Sequence, residues 1–200
     1  MFWDKVSSVY DLFETLYNGK VYRGLGKRVA QEIASEDVVL ECACGTGAIT
    51  QYIAPRCQRL IATDFSKGML KQVAKKCKKY DHVMIKQADI TQLAYEDGQF
   101  DKVVAGNVIH LLADPYAAIK ELERVCRVGG KIIVPTYINA SEGVNKKAVR
   151  LLEIAGANFK RQFDMHSYKA FFTQAGYQNV VFDIVDGRMP CAVAIITKNN

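Results

Sequence analysis

The 200-residue chain contains no run of 18 apolar residues, so no segment is expected to cross a membrane as a helix. Its N-terminus, Met-Phe-Trp-Asp-Lys-Val, lacks the charged-then-apolar order of a secretion signal, and the expected location is the cytoplasm. No Gly-Lys-Ser/Thr follows any glycine-rich turn, which excludes a Walker-type phosphate loop. The Gly-x-Gly-x-x-Gly spacing of dinucleotide sites is also missing: counted from Gly45 and Gly47, the third position is Thr50. Of the six cysteines, Cys42 and Cys44 are two apart, the wrong spacing for a zinc knuckle or a redox pair. Buried thiols and no metal are expected. With no internal repeat, low-complexity stretch or linker, residues 1–200 are read as one domain.

At 50% hydrophobic and 24% charged, the chain can build a full core. The net charge of +6 raises the question of nucleic acid, but the lysines concentrate in one segment, Lys67, Lys71, Lys75, Lys76, Lys78 and Lys79. Met69, Leu70, Val73, Ala74 and Cys77 form an opposing stripe at helical spacing, so a solvated helix face accounts for the lysines. Aromatic residues are not interleaved there as stacking platforms would require, and nucleic acid is not the expected partner.

Strand-like and helix-like segments alternate, which points to an α/β fold. Residues 1–35 read as aromatic-rich helices, with Trp3, Tyr10, Phe13, Tyr17 and Tyr22, broken at Asn18-Gly19. Strands are expected at 38–41, 59–63, 83–86, 102–106, 131–137, 180–185 and 191–197. Ser66 is the expected cap of the lysine-rich helix. Asp114 and Pro115 should open a helix whose inward stripe is Ile119, Leu122 and Val125, with Gly129-Gly130 ending it. A short helix is expected over 167–175, with His166 as a cap before it. The five-residue link 186–190 is short enough for a hairpin, so the last strand should be antiparallel.

The informative stretch is residues 38–47, Val-Val-Leu-Glu-Cys-Ala-Cys-Gly-Thr-Gly. An apolar strand there ends in a carboxylate, Glu41, before a turn of small residues, Ala43, Gly45 and Gly47, which let a backbone approach a ligand. Glu41 would repel a phosphate and suits a ligand with a positive group and hydroxyls. The pattern acidic-x-Gly-x-Gly-x-Gly, with Ala43 at the first glycine, resembles motif I of class I S-adenosylmethionine-dependent methyltransferases, of the small-molecule type that includes the ubiquinone/menaquinone C-methyltransferases. Asp64-Phe-Ser-Lys-Gly-Met-Leu, 17 residues beyond Gly47, is similar to the family's second motif; Gln87-Ala88-Asp89-Ile90 and the segment from Phe100 to Pro115 resemble its third and fourth. The likeness covers residues 36–137.

This resemblance implies a Rossmann-like, doubly wound seven-stranded sheet, mostly parallel with an antiparallel last strand. It implies S-adenosyl-L-methionine as cofactor and S-adenosyl-L-homocysteine as product. Glu41 is placed near the amino-acid end, Asp64 on the ribose diol, Phe65 and Met69 beside the adenine, and Asp89 on the adenine amine with the backbone of Ile90. Asn107 is placed at the methionine end. Ala43, a departure from glycine, requires a turn that avoids positive φ at that residue. His110 is readable either as a general base or as a structural residue beneath the cofactor. Residues 1–35 are expected to form a lid carrying Tyr10 and Tyr17, which could touch the cofactor or assist catalysis, and residues 138–200 to supply the acceptor pocket and terminal hairpin. The implied reaction is methyl transfer to a small molecule, such as a quinone precursor, lipid, amine or thiol. A binding protein without turnover and a nicotinamide oxidoreductase are the alternatives. Oligomeric state is not readable.

Overall fold

The computed structural model describes residues 2–7, 10–139 and 160–199, with the side chains of residues 2, 5 and 10–17 outside the description. The Tyr10 and Tyr17 side chains, and most of the expected acceptor segment, therefore lie outside the described residues.

Seven strands form one sheet in the order β3-β2-β1-β4-β5-β7-β6. They are β1 (Val38–Cys42), β2 (Arg59–Asp64), β3 (Val83–Gln87), β4 (Phe100–Ala105), β5 (Cys126–Tyr137), β6 (Val180–Val185) and β7 (Cys191–Thr197). Strands β1 to β5 pair in parallel, and β7 runs antiparallel between β5 and β6. The hairpin read at 186–190 is present, and the doubly wound reading holds.

The helices are α1 (Phe2–Val6), α2 (Tyr10–Ala30), α3 (Thr50–Ile53), α4 (Lys67–Cys77), α5 (Pro115–Val125) and α6 (Met165–Gln174). Strand alternation distributes them over both faces. Val39, Val104 and Ile133 pack toward α2 and α3 with Val21, Leu25 and Val29, whereas Leu40, Val103 and Ile132 pack toward α5 and α6. The expected break at Asn18 is a kink inside α2, with φ −137° and ψ 32°. Asn18 is buried there and exchanges hydrogen bonds with the Met189 backbone, donating at 2.8 Å and accepting at 3.2 Å. The kink is thereby tied to the loop between β6 and β7.

Capping follows the local sequence. Ser66 accepts from the Met69 N–H, and Asp114 from the Ala117 N–H with Pro115 at the first helical position. Asp164 and Ser167 form a capping box at α6, so Asp164 takes the role expected of His166, which lies inside the helix.

Two expectations are corrected. Helix α5 ends at Val125 rather than at Gly129-Gly130: the chain enters β5 at Cys126, pairing with Phe100, and the glycines sit at a register shift. A Cβ on Gly130 would lie 2.7 Å from the Asp101 carbonyl oxygen, so close strand approach explains that glycine. The second correction concerns β3 and β4, which are joined without a helix; residues 88–99 form a turn region with an isolated bridge between Asp89 and Gln92.

Candidate active site

The chain runs outward from β1 to β3 and then returns to β4 on the other side of β1. This creates a switch point where the carboxyl ends of β1 and β4 diverge, the usual ligand position in open α/β sheets. Glu41 pairs with Ala62 on one side and Val104 on the other, so the ends of β1, β2 and β4 lie level. A cavity of about 400 Å³ opens there, within the roughly 300–1,000 Å³ typical of small-molecule sites.

The loop after β1 winds through left-handed backbone at alternate residues: Ala43 at φ 52°, Gly45 at φ 56° and Gly47 at φ 90°. Ala43 therefore does what it was expected to avoid. Its methyl group accepts a conformation costing a non-glycine residue roughly 1–2 kcal/mol, because the tight path from buried Cys42 to Cys44, whose N–H donates to Thr63, dictates it. A Cβ on Gly45 would meet nothing within 4 Å, leaving an open approach to the loop. On Gly47 it would meet Val73 Cγ2 at 2.8 Å; that glycine lets the loop pack on α4 and is not among the cavity-lining residues.

Three carboxylates face the cavity, in different states. Glu41 is 1% exposed, and burial, with Asp64 nearby, pushes its carboxyl up to about 8. Thr50 at the start of α3 partly offsets this, yet neither Glu41 Oε2 nor Thr50 Oγ1 has a hydrogen-bond partner among the described residues. Asp64 accepts from the Gly45 N–H at 2.9 Å and the Ser66 N–H at 2.8 Å, bracing the glycine loop against the turn into α4. Burial raises its pKa against those backbone donors. Asp89 is exposed and accepts from the backbone N–H and hydroxyl of Thr91 through one oxygen. Among the described lining residues there is no Lys, Arg or His. Such a site disfavours phosphate and favours ligands bearing positive charge and hydroxyl donors.

Phe65 and Met69 line the cavity from the start of α4, and Ile90 from the turn after β3. Asn107 lines it in left-handed backbone, φ 53°, with its N–H donated to Pro135 and its side-chain oxygen accepting from the Cys191 thiol at 3.6 Å. His110 is elsewhere. It is buried in a 3₁₀ turn (Ile109–Leu111), its Nδ1 lies 3.0 Å from Thr136 Oγ1, and burial pulls its pKa down to about 4. It does not line the cavity, and its carbonyl accepts from the backbone of Lys160 and Arg161, so it anchors the returning chain.

The walls that sequence reasoning missed are apolar and aromatic: Trp3, Tyr22, Leu25, Leu111, Leu112 and Tyr137. Trp3 and Tyr22 stood out only as members of an aromatic segment. Their convergence on the cavity depends on α1 and α2 folding back over the sheet edge. Asp4 holds α1 there, accepting from Ser66 Oγ at 2.7 Å and the Gly68 N–H at 2.8 Å.

Comparison with known proteins agrees with this geometry. The methyltransferase domain family profile matches residues 40–134. A demethylmenaquinone methyltransferase of Clavibacter sepedonicus is 33% identical over 135 residues, covering 66% of this chain and 55% of that one. A demethylmenaquinone methyltransferase of Staphylococcus saprophyticus is 26% identical over 202 residues, 89% of this chain and 87% of its own length. In fold, an S-adenosylmethionine-dependent methyltransferase of Thermotoga maritima, described as a possible histamine N-methyltransferase, superposes with TM-score 0.77 at 18% identity over 99% of both chains. A magnesium protoporphyrin IX methyltransferase from Synechocystis with bound S-adenosylhomocysteine superposes with TM-score 0.66 at 13% identity, over 89% of this chain and 82% of that one. Residues 40–134 match a methyltransferase domain, and the relatives and structural neighbours together support a class I S-adenosylmethionine-dependent methyltransferase.

Proposed function

We propose that this chain binds S-adenosyl-L-methionine along the carboxyl edge of β1, β2 and β4 and methylates an uncharged, largely apolar small molecule of the quinone type in the cytoplasm. The observation that carries the cofactor reading is the buried Oε2 of Glu41, without a hydrogen-bond partner among the described residues, in a cavity whose described lining has three carboxylates and no cation. When bound, the cofactor supplies a methyl group on a sulfonium that is already a good leaving group.

The protein's share is alignment and exclusion of water. Glu41 would take the α-ammonium end, and Asp64 the ribose diol through lone pairs left over from its two backbone bonds. Asp89 would receive the adenine amine beside the Ile90 backbone, with Phe65 and Met69 flanking the ring. Asn107 holds the loop at the methionine end. Trp3, Tyr22, Leu25, Leu111, Leu112 and Tyr137 make the remaining wall, one suited to an apolar ring and tail. His110, neutral and packed on Thr136, acts by positioning the segment after β4 rather than as the base. Tyr10 and Tyr17 belong to the part of α2 that would cover the site. The quinone-type acceptor follows the names of the two demethylmenaquinone methyltransferase relatives and this apolar wall.

Calorimetric titration with S-adenosylhomocysteine tests the cofactor half. Glu41→Ala should weaken binding at least tenfold with the fold retained, and unchanged affinity overturns the assignment. Incubation with labelled cofactor and a demethylated naphthoquinol tests the acceptor half: methylated product supports it. Binding of S-adenosylhomocysteine with no turnover on quinols, amines or thiols would instead favour a binding protein.

A further inference from the structure

Helix α4 carries a charge imbalance that the cofactor site leaves unused. Residues 65–80 hold six lysines and no acidic residue. Removing those six from the chain's 27 cations leaves 21, against 21 acidic residues, so the net charge of +6 equals the charge of this one segment. At 100° per residue, Lys67, Lys71, Lys75 and Lys78 fall in a single stripe about 80° wide, opposite buried Met69, Val73 and Cys77. All four are exposed. The stripe starts beside Phe65, which is 52% exposed while also lining the cofactor cavity. The described acids near its N-terminal end are Asp4, one of whose oxygens is engaged by Ser66 and Gly68, and Asp64, which accepts from the Gly45 and Ser66 N–H groups.

We infer that this face docks on an anionic phospholipid surface, with the lysine stripe against the headgroups and Phe65 at the interface, so that the cavity rim meets the bilayer where an apolar acceptor resides. The inference rests on the quinone-type reading of the acceptor. Two features favour lipid over nucleic acid. No aromatic residue is interleaved with the four lysines as a stacking platform. The exposed ring of Phe65 stands instead at the one end of the stripe that adjoins the cavity, where an apolar ring can enter the boundary between headgroups and acyl chains. Each lysine close to an anionic bilayer contributes roughly fivefold to partitioning, and the attraction is screened by salt.

The test is cosedimentation of the full chain with vesicles of phosphatidylcholine alone and of phosphatidylcholine mixed with phosphatidylglycerol, at low and high salt. Selective, salt-sensitive binding to the anionic vesicles is expected. The combined variant Lys67→Gln, Lys71→Gln, Lys75→Gln, Lys78→Gln should lose roughly several hundredfold in partitioning, while binding S-adenosylhomocysteine with parental affinity. Equal binding to both vesicle types, no binding to either, or parental partitioning of the variant overturns the inference. So does tighter binding to a single-stranded oligonucleotide at the same salt, which would mark the stripe as a nucleic-acid face. The cofactor titration and the naphthoquinol assay are run on the same preparation. Vesicle binding with no quinol turnover would thus remove the acceptor reading alone, and turnover of a short-tailed quinol without vesicle binding would remove the docking reading alone.

Discussion

On the β5–β7–β6 side of the sheet, Tyr168, Phe171 and Phe172 of α6 interlock edge-to-face with Phe163, Tyr177 and Phe182. The fully buried Tyr168 phenol donates to the Val134 carbonyl, and Tyr177 donates to Glu123 at 2.8 Å. On the β2–β1–β4 side, Ala43 and Asn107 occupy left-handed backbone. There too are Glu41 Oε2 and Thr50 Oγ1, the buried side-chain polar atoms without partners among the described residues. One side spends its residues on packing and satisfied hydrogen bonds. The other keeps strain and a partnerless carboxylate oxygen where a ligand would approach, at a cost in stability that the first side offsets. The division follows topology: β6 and β7 lie away from the switch point, and from this side of the sheet only Tyr137, at the end of β5, lines the cavity among the described residues.

The sharpest break between the two sides comes from Phe172→Ala. This side chain is fully buried and touches four other rings, and its loss should cost roughly 3–5 kcal/mol. Thermal unfolding should drop by roughly 10 °C, while S-adenosylhomocysteine affinity of the folded fraction is unchanged. A large loss of affinity with little loss of stability would show that the two sides are not separable.

Next in size is a pH effect confined to the site side. The Glu41 carboxyl titrates near 8 in the folded chain, against an ordinary 4.5. Between those values the folded state holds a proton that the unfolded state has released. Stability is therefore fully present below about 4.5 and is lost as pH rises through 8, by on the order of a few kcal/mol. Chemical denaturation of the ligand-free protein at pH 5 and pH 8 should show this decline, and Glu41→Gln should flatten it and be the more stable protein at pH 8. Equal slopes in parent and variant would mean that Glu41 is ionised or solvated in the folded chain. Cofactor binding at pH 7 should release a proton as Glu41 ionises against the ammonium, visible as a calorimetric enthalpy that varies with the buffer.

Two neighbouring glycines then separate strain from binding. Gly47→Ala forces a Cβ onto Val73 at positive φ and should cost roughly 2–4 kcal/mol of stability. Gly45→Ala meets no protein atom and should cost only the backbone term, about 1–2 kcal/mol, but its methyl group stands in the approach to the loop and should weaken cofactor binding at least tenfold. Thermal melts and titrations of both variants decide it, and the reverse assignment of effects would overturn the placement of the loop.

Much of this was readable because its signals are local. Apolar runs set the strands, Ser66 and Asp114 announced their helices, and the 186–190 link announced the hairpin. The candidate site was readable as far as one strand end specifies one residue: Glu41, Asp64, Asp89 and Asn107 all come to the cavity rim. What escaped depends on contacts distant in sequence. Gly129-Gly130 look like a helix stop until β5 is seen pairing with Phe100 through Cys126, three residues before Gly129. Trp3, Tyr22 and Leu25 become cavity walls only because Asp4 fastens α1 to the start of α4 and Asn18 bends α2 toward Met189. His110 looked suitable as a base from its residue type, and only the packing of Thr136 and of the chain returning at Lys160 and Arg161 shows it buried away from the cavity.

The smallest expected effect addresses the strain directly. At Ala43, φ 52° penalises any residue with a Cβ by roughly 1–2 kcal/mol, and Ala43→Gly removes that penalty. Glycine also widens the unfolded ensemble, which takes back about 0.4–1 kcal/mol. The net should be a gain of up to about 1 kcal/mol, seen as a rise of a few degrees in thermal unfolding. Affinity for S-adenosylhomocysteine should hold or improve slightly, because the loop keeps its path while losing a methyl group at the cavity wall. A destabilised Ala43→Gly protein would mean that the methyl group's contacts with the β1 core outweigh the left-handed penalty. The strain on the site side would then rest on Asn107 alone among the non-glycine residues described, narrowing the contrast between the two sides to the Glu41 carboxylate.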